Sequence, residues 1–142
     1  MSPRSARLQP AVEQAKRREE LALQKLAEQQ QRFTLVQNQL EELERYRQEY
    51  SLSEGGLTVT ALVNRQHFLD RIDKAIVQQL REVERHRRQL EGTRMQWVQA
   101  HARERAIDSV IVRYRSLEQQ SEDRQEQAEV DERMQYRRRP AG

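Results

Sequence analysis

Two adjacent glycines, Gly55 and Gly56, interrupt a stretch that has no proline from Ala11 to Arg139 and only one further glycine, Gly92. Proline and glycine are the residues that stop helices most effectively, so a single break divides the chain. On both sides of it the sequence is rich in Glu, Gln, Leu, Arg and Ala, which lose little conformational freedom in a helix. The pattern predicts an all-α chain. One helix runs over about residues 10–52, with Pro10 in its first turn, and a turn covers about 53–58. A second helix runs over about 59–138, started by Thr58 or Thr60 as a cap. Two long helices joined by a short turn fold back as an antiparallel hairpin, here a single domain spanning 1–142. The β-branched run Leu57-Thr58-Val59-Thr60 can stay extended for a few residues before the second helix begins.

Composition narrows the form of the hairpin. Only 35% of the 142 residues are apolar, 35% are charged, and mean hydropathy is −1.11. That leaves too little apolar surface for a globular core, so the alternatives are disorder and an extended helical pair. Periodicity decides between them. With a at Val12 and d at Ala15, the seam of the first helix reads Val12, Ala15, Glu19, Ala22, Leu26, Gln29, Phe33, Val36, Leu40, Leu43, Arg47, Tyr50, mostly apolar. With a at Leu62, the second reads Leu62, Arg65, Leu69, Ile72, Ile76, Gln79, Val83, His86, Leu90, Thr93, Trp97, Ala100, Glu104, Ile107, Ile111, Tyr114. After about residue 117 the apolar seam is lost.

Setting Leu43 opposite Leu69 centres the turn on Gly56 and places Leu8 opposite Glu104. On that pairing the second helix has no partner beyond about Asp108. Ile107, Val110, Ile111, Tyr114 and Leu117 then form an uncovered apolar stripe, the kind of surface that normally contacts a partner. An edge beside the turn carries a second recognition signal. In an antiparallel pair the g positions of both helices share one edge, here Gln39, Tyr46, Phe68 and Ala75. The e edge carries Gln37, Glu44, Gln66, Asp73 and Leu80. Aromatic anchors beside a polar rim suit an interface, although Tyr46 and Phe68 could also simply widen the seam.

Chemistry has little footing. No phosphate-binding glycine loop, dinucleotide fingerprint or nucleophile elbow is present, so no enzyme activity, cofactor or small-molecule substrate is expected. The chain has no cysteine. His101 with Glu104, and Glu82 with His86, have helical metal-ligand spacing. Arginines 85, 87, 88, 103 and 105 crowd both segments, and no metal site is expected. Net charge is only +3 and basic clusters alternate with acidic ones, which argues against nucleic acid. Without an apolar run of membrane-spanning length or a leader-like start, the expected location is cytoplasmic.

Four motifs resemble one family. Arg7-Leu8-Gln9-Pro10 opens the first helix and Tyr46-Arg47-Gln48-Glu49-Tyr50 precedes the turn. Phe68-Leu69-x-x-Ile72-x-x-Ala75-Ile76 follows it, and Trp97 lies midway along the second helix. In order and spacing they look like FliJ, the coiled-coil component of the bacterial flagellar type III protein export apparatus, over essentially the whole chain. The resemblance implies a stalk similar to that of rotary ATPases, serving flagellum biogenesis and motility. Its partners would be the hexameric flagellar export ATPase, the cytoplasmic domain of the export gate protein, and export chaperones that it helps to recycle.

Carried over by position, the gate-binding surface would be Gln39, Leu43, Tyr46, Tyr50, Phe68, Ile72, Ala75 and Gln79. Gln79 stands where some members have a histidine, so no protonation role carries over. The ATPase-binding residues would be Ile107, Val110, Ile111, Tyr114 and Leu117, together with the basic amino-terminal segment. The free protein would be a monomer in the cytoplasm, associated with the inner membrane only through the export apparatus. The equivalent stalk of a virulence secretion system is a related alternative. A self-associating coiled-coil scaffold is an alternative from another class, which a concentration-dependent dimer would support.

Overall fold

A computed structural model describes residues 3–52 and 58–138. Three helices follow in order: α1 (Arg4–Arg7), α2 (Gln9–Leu52) and α3 (Val59–Arg138). The two long helices pack antiparallel as a hairpin. Gly55-Gly56, the turn expected from the sequence, lies outside the described residues. The chain divides into two compact units. A central unit comprises Leu21–Val98; a terminal unit comprises Met1–Glu20 and Gln99–Gly142.

Local chemistry accounts for the helix starts. Thr58 caps α3: its Oγ1 accepts a hydrogen bond from the Ala61 amide at 3.2 Å, and its carbonyl accepts from Leu62 at 3.1 Å. This satisfies an amide that the first turn of a helix leaves without a partner. Leu8 ends α1 and opens α2. Its amide donates to the Arg4 carbonyl at 3.2 Å while its own carbonyl accepts from Val12 at 3.0 Å. Pro10, in the first turn of α2, has no amide hydrogen to leave unpaired.

The heptad reading describes the seam closely. Every a and d position of α2 from Val12 to Tyr50 is buried or half-buried. In α3 the same holds from Arg65 to Glu118, with Leu62 left exposed. The best-buried apolar residues are Val12, Ala15 and Ile111 in the terminal unit and Val36 and Ile72 in the central unit. Among the described residues no side chain is enclosed on all sides, as expected where only two helices meet.

Cross-helix contacts are displaced from the expected Leu43–Leu69 register, all in the same direction, by about three to eight residues. In the central unit Tyr50 stacks on Phe68 with centroids 4.3 Å apart, and Arg47 bonds Asp73. Gln79 donates to the Val36 carbonyl at 2.9 Å, a place the expected register gave to Ile76. The cause is polar. Arg65, a charged residue at a d position, donates to the carbonyls of Tyr50 and Ser51 in the last turn of α2. A cation there satisfies carbonyls that the end of the helix leaves free and complements its dipole. The expected register would instead have set Arg65 opposite Arg47.

A second correction concerns the stripe beyond Asp108. It has a partner. The seam of α2 continues backward through Leu8 to Ser5, and these residues cover α3 as far as Glu118. Ser5 is buried, and its amide and hydroxyl both donate to the Glu118 carboxylate, at 3.1 and 2.6 Å. Ile111 is only 2% exposed. The sequence reading missed this because a proline at 10 looks like the start of the structure. The chain in fact makes one more helical turn before it. After Glu118 the described part of α3 is exposed on all faces, so this is where its unpaired extension starts.

Candidate partner-binding surfaces

The aromatic edge of the central unit is built by three rings from two helices. Phe68 sits between Tyr50, at 4.3 Å, and Tyr46, at 6.2 Å between centroids, with tilted planes in both pairs. Such tilted contacts set the positive edge of one ring against the negative face of another. Tyr50 and Phe68 are half-buried, whereas Tyr46 is 57% exposed. A large ring is therefore held in a defined position on the surface.

Next to it, Gln39, Glu42, Leu43, Tyr46 and Gln79 line a shallow groove of about 460 Å³. Gln79 spans the two helices there, donating to both the Val36 carbonyl and the Gln39 side chain, the latter at 3.1 Å. Of the eight residues expected at a gate-binding surface, this groove gathers Gln39, Leu43, Tyr46 and Gln79, and the ring cluster adds Tyr50 and Phe68. Ile72 is 6% exposed and packs in the seam, where it supports the surface without presenting itself. Ala75 is half-buried, two helical turns from Phe68 on the same face. Arg47 and Asp73 form a charged pair between the same helices, which holds the Arg47 guanidinium above its ordinary pKa through the Asp73 hydrogen bond.

Residues expected at the ATPase-binding end fall into two groups. Ile107, Ile111 and Tyr114 belong to the seam of the terminal unit and are half-buried or buried. Val110 and Leu117, seven residues apart, are exposed together on one face of α3. Arg4 lies over the Tyr114 ring at 5.7 Å, a cation on the negative face of an aromatic. The Glu118 carboxyl is held below the usual carboxylate range, first by the Ser5 hydroxyl and then by the Ser5 amide. This carboxylate caps α1 from another helix, supplying what no side chain at the start of α1 supplies.

Other surfaces were not singled out from the sequence. Val77 and Leu80 are exposed on the outer face of α3 and adjoin Arg81, Arg85 and Arg88. Glu84 in that face pairs with Arg87 and Arg88, and the Arg87 hydrogen bond lowers its carboxyl to about 2. Leu23, Leu26, Ala27, Leu90 and Trp97 line a groove of about 670 Å³ between α2 and α3 within the central unit. Leu26, Leu90 and Trp97 are seam positions, whereas Leu23 and Ala27 lie outside the a/d seam, so a heptad reading does not group the five as one groove.

Of the two metal-spaced pairs, Glu82 and His86 stand 3.8 Å apart, with no third ligand gathered around them among the described residues. His101 and Glu104 are joined by Glu19 from α2, their donor atoms lying within 4.8 Å of one another. Among the described residues no helix is long and apolar enough to cross a membrane.

A family model described as "Flagellar FliJ protein" matches residues 4–141. No curated protein and no solved structure matches the chain.

Proposed function

The chain belongs to the FliJ family of flagellar proteins, whose members are structural components of the flagellar export apparatus, and from that premise we propose that it couples the export ATPase ring to the export gate without catalysing a reaction itself. In this proposal the gate's cytoplasmic domain docks on the aromatic edge of the central unit. Tyr46, Phe68 and Tyr50 anchor it, and the Gln39–Gln79 pair and Leu43 line the adjoining groove. The ATPase ring takes the terminal unit, through Val110 and Leu117 on the outer face of α3, while Ile107, Ile111 and Tyr114 hold that face in shape. Coupling is mechanical: a stiff helical pair seated in a ring passes an asymmetric contact to the gate. Handing chaperones back for reuse belongs to the same role, and the protein works on the cytoplasmic side of the inner membrane.

One observation supports the gate surface above the rest: Tyr46 is 57% exposed while its ring contacts Phe68. An exposed, ordered aromatic loses little entropy when it is buried in an interface. Tyr46→Ala with Phe68→Ala should weaken gate binding by about 2 kcal/mol or more, roughly thirtyfold, and leave ATPase binding unchanged. Val110→Asp with Leu117→Asp should do the reverse, since both positions face solvent and accept a charge without unfolding the seam. Affinities of both folded variants for both partners decide the matter. Equal loss of the two partners, or loss of neither, contradicts a two-surface coupling. Self-association removed by the Val110 and Leu117 changes would point to a scaffold instead.

A further inference from the structure

Two carboxylates occupy core positions of the terminal unit. Glu19 is an a residue of α2 and Glu104 an a residue of α3, and both are half-buried where an apolar side chain is the norm. An ionised carboxylate in a partly dry seam is costly unless a cation or hydrogen bond compensates it. Glu19 has such a partner, because its Oε1 lies 2.8 Å from Nδ1 of His101. Among the described residues the Glu104 carboxylate forms no ion pair and no hydrogen bond. The cluster therefore sets two carboxylates beside one imidazole in the seam.

All three side chains offer a ligand atom, and these atoms lie within 4.8 Å of one another. Metal–ligand bonds of about 2.0–2.2 Å would draw them closer than that. Arg103 and Arg105, which argued against a cation when only the sequence was considered, are exposed, and neither forms an ion pair with the cluster. The third ligand comes from a residue 82 positions earlier in the chain, which no local motif could have revealed.

We propose that Glu19, His101 and Glu104 bind a zinc ion that ties α2 to α3 in the terminal unit. One imidazole nitrogen and two carboxylate oxygens match the preferences of zinc, with water as the fourth ligand of a tetrahedron. Calcium takes six to eight oxygens, and magnesium keeps an octahedron of oxygens and waters, so neither suits three ligands that include a nitrogen. The ion neutralises the paired carboxylates and crosses between helices, and it binds only where those helices are already aligned. Zinc thus favours the folded terminal unit by mass action.

The test uses the full chain stripped with a chelator and titrated with zinc chloride, read by calorimetry and by thermal unfolding. One equivalent of zinc should bind, with Tm rising as zinc is added. Glu104→Gln and His101→Ala should each weaken binding at least tenfold, and His86→Ala should leave it unchanged. X-ray absorption of the zinc complex should report one imidazole and otherwise oxygen ligands. Glu104→Gln keeps the side chain's shape and removes a seam charge, so helix content measured by circular dichroism should be preserved. Zinc binding as tight in Glu104→Gln as in the parent overturns the proposal. So does binding lost with His86 but kept without His101, or a Tm indifferent to zinc.

Discussion

The two units share a heptad seam but fill it with different chemistry. In the central unit rings and aliphatic side chains, from Phe68 and Tyr50 through Ile72 and Val36, share the seam with Arg47, Arg65 and Gln79, which bond across the helices. In the terminal unit the apolar core of Val12, Ala15 and Ile111 alternates with polar contacts: Ser5 with Glu118, and His101 with Glu19. Non-directional packing survives changes of pH and salt, whereas charge-assisted contacts depend on protonation and on ions. The same repeat therefore yields a terminal unit with a carboxylate–serine and a carboxylate–imidazole contact in its seam, and a central unit in which rings and arginines take those places.

Ile111→Asp gives the largest expected effect, because it removes an apolar side chain from a buried site and leaves an unpaired charge there. A cost of about 4 kcal/mol or more is expected, enough to unfold the terminal unit. Hydrogen exchange should show lost protection over residues 4–20 and 99–118, with amides of Leu26 to Leu43 still protected. Equal loss in the central unit would mean that the two unfold as one, and the contrast between them would not extend to stability.

Ile72→Ala probes the packed unit in the same way. Truncation of a buried isoleucine costs about 2–4 kcal/mol, and the loss should be almost independent of pH between 4 and 8. Tyr46→Ala, at an exposed position, should change stability far less. A Tyr46 variant as unstable as the Ile72 variant would show that the ring is a structural element, and it would weaken its assignment as an anchor for a partner.

Glu118→Gln should have the smallest effect, and it sharpens the contrast through pH. The folded state holds Glu118 below its usual carboxylate range, so its contribution is present above the unfolded-state pKa of about 4.3. That contribution is lost as pH falls through the depressed folded value, since the unfolded chain then binds the proton more readily. Protection of the Ser5 and Arg7 amides should accordingly fall in acid in the parent protein and be low at every pH in Glu118→Gln. Amides around Ile72 should show no such dependence. Acid sensitivity of equal size at both places would erase the distinction between the units.

Much of this was legible in the sequence because it depends on near neighbours. Helix type follows from composition and the scarcity of breakers, the seam from a period of seven, and the Thr58 cap from a side chain that bonds its own next turn. The inward residues from Val12 to Tyr50 and from Arg65 to Tyr114 are those that the heptad names. The aromatic edge was legible as well, since Tyr46 and Phe68 occupy g positions whichever way the helices slide by whole heptads. Other features rest on contacts between residues far apart in the chain, and local periodicity carries no information about them. A slide of one helix along the other keeps every a and d residue inside, so only contacts such as Arg65 with the end of α2, and Gln79 with Val36, select the register. Ser5 meets Glu118 and Glu19 meets His101 only once the helices are aligned. The sequence by itself determined which faces turn inward; the tertiary structure decided which of them meet, because pairing energy depends on both strands of the seam at once.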